Sequence, residues 1–160
     1  MELRIEKQTA KKIYAGAPDA LKAILVETFG SDCFKTINFK DLKTFDDLCK
    51  ACGTTEAEFE KKYRDMPVSS QLVRFARMEI MTTAINQGWV KDTLDTNQRK
   101  WYPYFTVSSS GLAFSGSCCD YGDALAVVGS CLCFESEEKS DYAGKQFLKL
   151  WEEFITGKNA

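Results

Sequence analysis

After Trp89 the hydrophobic pattern of this chain changes from helical spacing to irregular and then extended. The change centres on Asn97-Gln98-Arg99-Lys100-Trp101-Tyr102-Pro103-Tyr104-Phe105. Period-two alternation places Trp101, Pro103, Phe105 and Val107 on one face of a strand and Tyr102 and Tyr104 on the other, so both faces carry rings. One face can serve a core. The other is either covered by the helical half or open for recognition.

Before this point the spacing predicts helices. A weak one is expected over Glu6 to Ala15. Pro18 opens a second, in which Leu21, Ile24, Leu25 and Phe29 recur at helical spacing up to Gly30, and this helix is expected to be well buried. Thr44-Phe45-Asp46-Asp47 and Thr55-Glu56-Ala57-Glu58 each pair an N-cap hydroxyl with an acid three residues on. Pro67-Val68-Ser69-Ser70 starts the longest helix, a central one with a stripe of Val73, Ala76, Ile80 and Ala84, ending near Asn86-Gln87-Gly88.

Beyond it, 101–107 reads as a strand, Ser108 to Gly111 as a turn and Leu112 to Ser115 as the hairpin partner. A Gly, Ser and Cys-rich loop is expected over 116–123, with strand material from Ala124 to Val128 and from Ser130 to Phe134. Ser136 then caps one final helix bearing Ala143, Phe147, Leu150, Trp151 and Phe154. Together these give an α+β fold, a mainly helical half (1–88) followed by a small antiparallel sheet packed against a carboxyl-terminal helix (89–160). At 160 residues and 44% hydrophobic content, a single domain is expected.

Composition narrows the chemistry. A formal charge of −2 argues against a protein that grips nucleic acid through its phosphates. The amino terminus is charged from its second residue and no apolar run approaches a membrane span, so a cytoplasmic protein is expected. Histidine is absent, which removes the usual general base and the commonest metal ligand. No cofactor is implied.

The seven cysteines form an odd set in which reduced thiols are expected. Cys49-Lys50-Ala51-Cys52 has C-x-x-C spacing, and Cys131 with Cys133, or the pair Cys118-Cys119, could complete four zinc ligands. Against this, Cys49 and Cys52 continue the apolar stripe of Phe45 and Leu48, where small thiols pack. Redox use is also disfavoured, because Cys52 falls next to the carboxyl end of its helix, where the dipole does not favour a thiolate. A thiol enzyme at Cys118 or Cys119 would need a base other than histidine.

Asp120-Tyr121-Gly122-Asp123, with Asp141, offers carboxylates that read first as a polar turn. The candidate ligand- or partner-binding set is Arg99, Lys100, Tyr102, Tyr104, Asp120 and Tyr121. Rings beside cations suit a nucleobase with its phosphate, and the same residues suit a protein hot spot.

Four motifs in order, Asn86-Gln87-Gly88-Trp89, Lys100 to Phe105, Val128 to Phe134 and Tyr142 to Phe147, resemble a family of small proteins encoded by phages, prophages and mobile elements of gut Bacteroidota. The resemblance spans about Thr44 to Phe154. The family pattern favours Arg where this chain has Cys131. The resemblance implies an origin and no activity. With the absence of a convergent acid/base set, it leads to the expectation of a non-enzymatic binding protein that sequesters or blocks a host protein or a small nucleotide signal. The alternative is a virion-associated or homo-oligomeric module in which Tyr102, Tyr104 and Trp89 form a subunit contact.

Overall fold

In the computed structural model, which describes residues 5–14, 16–34, 37–95, 97–109, 111–120 and 131–157, helices begin where the sequence supplies acceptors for their first amides. Thr44 accepts from the Asp47 amide (3.2 Å) while the Asp47 carboxylate accepts from the Thr44 amide (2.8 Å), which starts α3 (Phe45–Ala51). Thr55 and Glu58 repeat this reciprocal pair at α4 (Glu56–Arg64), and Ser69 caps α5 (Ser70–Asn86). Gln87 in the left-handed conformation ends α5.

The chain groups into two compact units, Met1–Ile37 and Asn38–Ala160, where length alone suggests one domain. The first holds α1 (Lys7–Tyr14), α2 (Asp19–Phe29) and a 3₁₀ turn at Ser31–Phe34, with Tyr14 stacked on Phe34 at 4.1 Å between ring centroids. Gly30 ends α2 as expected, at φ 81°. The burial expected of α2 is not found: of its residues Leu25 alone is buried, and Ile24 is 58% exposed. The i, i+4 row of Leu21, Leu25 and Phe29 is as much as so small a unit covers, and Ile24 lies beside that row.

In the second unit α5 is central and packs against α3, α6 (Glu137–Gln146) and α7 (Leu148–Thr156). Its inward side is built from Ala76, Met78, Met81, Ala84 and Ile85, while Val73 and Ile80 of the expected stripe are half-buried. Leu48, Phe59, Phe134, Phe147 and Trp151 complete the core around it. The polar side of α5 also contributes: Arg77 lies over the Phe45 ring and pairs with Glu60 of α4 and Glu153 of α7.

Strands β1 (Lys100–Ser108) and β2 (Gly111–Asp120) form an antiparallel hairpin lying on α6 and α7, so the fold is α+β. Opposite residues run from Lys100↔Asp120 to Ser108↔Gly111, with a bulge after Tyr104 that leaves Ser115 unpaired. The loop expected over 116–123 is therefore strand as far as Asp120, because β1 is long enough to pair it. The strand material expected over 124–128 lies outside the described residues. Residues 131–134 make a single bridge rather than a strand, through two hydrogen bonds between Trp101 and Phe134 (3.0 and 2.8 Å).

That bridge is braced from behind by Asn86, whose side chain is buried. Its amide donates to the Cys133 carbonyl (2.8 Å) and its carbonyl accepts from the Glu135 amide (3.1 Å). In extended backbone the groups of 133 and 135 point away from those of 134, so one carboxamide stands in for a missing strand. The single final helix expected from sequence is instead two, α6 and α7, broken at Phe147 (φ −111°). At the break the Ala143 carbonyl takes both the Phe147 amide and the Trp151 indole N–H (3.3 Å). One turn earlier, Gly144 is pressed so closely to Phe114 that a Cβ there would lie 2.3 Å from its ring.

Replacing Asn86 by Ala is expected to lower stability by about 1–3 kcal/mol, since the buried Cys133 carbonyl and the part-buried Glu135 amide lose their partner. Urea unfolding checks this, and an unchanged midpoint would refute the bracing role. The Asp47 carboxyl is held below the ordinary range by the Thr44 hydroxyl, and Glu58 by those of Thr55 and Thr54. Lowered folded values mean stabilisation that is full above the unfolded carboxylate range, about pH 4, and lost as pH falls through the folded values. Thr44→Ala with Thr55→Ala is expected to flatten the fall of the thermal midpoint over that acid window, with little change in slope near neutrality.

Candidate interaction face

Opposite residues of a hairpin share a face, so the register sorts the aromatic run. Pro103, Phe105, Phe114 and Ser117 face the helices. Phe105 meets Trp151 (5.4 Å between centroids) and Phe114 (6.1 Å), while Trp101 packs half-buried on the same core. Ser117 donates across to α6, within 2.8 Å of both Ser140 and Asp141. Lys145 on Asp141 holds that carboxyl below its usual range, with Ser117 adding to the effect, so Asp141 is tied into a strand-to-helix clamp. The division expected from alternation holds for Pro103 and Phe105, whereas Val107 of the same face is 74% exposed and Tyr102 of the other lines a pocket together with helix residues.

Around Tyr104 the other face is open rather than covered by helices. Tyr104 is 50% exposed over Gly116, and Thr106, Ala113, Ser115 and Cys118 are exposed around it. At Gly116, where φ is +157°, a Cβ would meet the Tyr104 hydroxyl at 2.8 Å, so the glycine lets this ring lie flat across the strand. Tyr102, two residues back, is half-buried and hydrogen-bonds the Cys133 thiol.

Lys100 shares this face but not its exposure. It is 7% exposed, and its ammonium donates to the backbone carbonyls of Asp95 (3.2 Å) and Gln98 (3.1 Å). A lysine expected to meet a ligand thus holds the preceding loop. A buried ammonium needs such acceptors, and a loop returning onto β1 supplies carbonyls that need donors.

The loop from Val90 to Arg99 is closed by further hydrogen bonds. The Gln98 side chain accepts from the Asp92 amide (2.6 Å) and donates to the Val90 carbonyl (3.2 Å). Asp92 and Asp95 each accept from an amide two residues on, those of Leu94 and Asn97. The described residues of this loop are thus tied to one another and to Lys100 by hydrogen bonds. Leu94, at 91% exposed, and Val90, at 61%, stand out from it, and Arg99 is exposed as well. Neither apolar residue is singled out by periodicity, although the Asp-x-Leu and Asp-x-Asn turn signals are readable.

Asp120 pairs with Lys100 through backbone register, and Tyr121 lies outside the described residues. Cys118 and Cys119 are strand residues rather than loop residues, one exposed and the other half-buried on the opposite face. The remaining thiols do not gather. Cys49 is buried in the core, and desolvation pushes its thiol up to about 11. Cys52 donates to the Ile80 carbonyl. Cys133 is buried, which raises its thiol against the opposing pull of Lys91, Tyr102 and Lys100, and Cys131 is exposed. Among the described residues no three His, Cys, Asp or Glu side chains converge where a metal ion could sit. No described helix is long and apolar enough to cross a membrane.

Lys100→Met is expected to release the loop. Amide exchange of residues 92–98 should rise at least about tenfold, the equivalent of about 1.4 kcal/mol of lost local protection, with α5 unaffected. Uniform exchange across the two proteins would refute the tether. The chain matches no protein-family model, no curated protein and no solved structure.

Proposed function

We propose that this chain is a non-enzymatic binding protein of phage or mobile-element origin that acts in the host cytoplasm by engaging and blocking a host protein, a defence component being one such target. The observation that carries this reading is the hydrogen-bonded loop with Leu94 and Val90 exposed, tied through Lys100 to the strand that bears exposed Tyr104. Apolar and aromatic side chains ordered before binding lose little freedom on association, which is the economy of a protein-recognition surface. Arg99 adds the cation type enriched at such surfaces. A nucleotide signal is less well served, since the Lys100 ammonium is already bound to two carbonyls.

The test is site-specific photo-crosslinking in the host from positions 94 and 104, with exposed Lys61 of α4 as the control position. One shared host-protein adduct from 94 and 104, absent from 61, is the expected result. It should disappear on substituting Leu94→Asp in the 104-crosslinker protein, whose thermal midpoint should stay within about 2 °C because both side chains are exposed. Equal adducts at all three positions, or none, would overturn the proposal. Adducts of twice the chain mass would replace it with the homo-oligomeric module.

A further inference from the structure

A pocket of about 420 Å³ is lined by residues of α5, α7, β1 and the segment 131–132, with neither the loop residues nor Tyr104 among them. Its wall carries four rings: Phe75 of α5, Tyr102 of β1, and Trp151 and Phe154 of α7. Leu132 and Cys131, from the segment bridged to β1, complete one side, and Cys131 is exposed where Leu132 is buried. Phe75 and Phe154 stand 6.3 Å apart between centroids, inclined at 47°, so the wall is faceted rather than flat.

We infer that this pocket is a binding site for a small, uncharged, planar aromatic molecule. Its volume falls within the range of small-molecule sites, roughly 300–1,000 Å³. No lining residue carries a formal charge, so an anionic or cationic ligand would lose its hydration there without a compensating partner. Rings on several sides favour a flat π-system over an aliphatic chain of equal volume, through offset and edge contacts. The Trp151 ring is fixed by its indole N–H on the Ala143 carbonyl. The Tyr102 predicted as a ligand residue thus contributes here, on the edge of β1, and not with Tyr104.

Cys131 provides the test, because it is an exposed thiol on the pocket wall, while Cys118 is an exposed thiol outside it. The full chain is equilibrated under excess reductant with three disulfide-bearing probes of similar size: a neutral indole or benzyl amide, an aliphatic cyclohexyl amide, and an aromatic carboxylate. Intact mass and peptide mapping then report occupancy at each thiol. In each case the thiolate displaces the small-thiol half of the probe, forming a protein–probe disulfide and releasing that thiol, so exchange is reversible and reports affinity.

With the aliphatic probe setting each thiol's own reactivity, the neutral aromatic probe is expected to favour Cys131 over Cys118 by about tenfold or more, about 1.4 kcal/mol of contact. The carboxylate should show no such preference. Phe154→Ala should remove most of the preference. Leu94→Asp, at a residue that does not line the pocket, should leave it intact, which separates this site from the interaction face. Equal labelling of the two thiols, equal preference for the carboxylate, or a preference unchanged in a folded Phe154→Ala protein would each overturn the inference.

Discussion

The carboxamide of Asn86 is the interaction on which the larger unit depends. It sits at the last turn of the central helix α5 and satisfies the outward-facing backbone of residues 133 and 135. Only because that edge is satisfied can Phe134 turn its own amide and carbonyl to Trp101 and extend the hairpin by one bridge. Phe134 is fully buried there, so helix, bridge and hairpin share one core residue. Lys139 adds a further tie, donating to the Asn86 carbonyl from the first turn of α6. A single polar side chain therefore joins the helical and β-rich parts, at a point where leaving backbone groups unpaired would be costly.

Lys100 plays the corresponding part for the surface. Its ammonium organises the loop before β1, and the apolar side chains of that loop consequently point out rather than collapsing inward. The same strand carries two separate recognition elements. Tyr104 is exposed on the outer face, whereas Tyr102 lines the pocket. Alternation groups these two tyrosines, and the bridge to residues 131–134 divides them.

The cysteines show why spacing is a weak guide to chemistry in this chain. Cys49 and Cys52 have the separation of a metal or redox motif, yet Cys49 is inside the core with a raised thiol and Cys52 faces a helix carbonyl. The burial of Cys49 favours its neutral thiol, the opposite of what a nucleophile or metal ligand needs. Cys118 and Cys131 are the accessible pair, and they serve different surfaces.

The sequence by itself determined the elements whose signals are local: the Thr44 and Thr55 capping boxes, the start of α5 at Ser69, the Gly30 stop and the alternating faces of β1. Each is decided by hydrogen bonds or side-chain periodicity within a few residues, which pattern reading captures. Tertiary structure decided the rest. Which acceptor Lys100 finds, whether Tyr102 and Tyr104 share a surface, where α6 ends and α7 begins, and how far β2 extends all depend on partners far along the chain. The exposure of Leu94 is likewise invisible to periodicity, because it follows from side-chain hydrogen bonds that close the loop from within. Local propensity can name a strand or a cap, but only the packing of distant segments settles which polar group is used up inside and which apolar group is left outside.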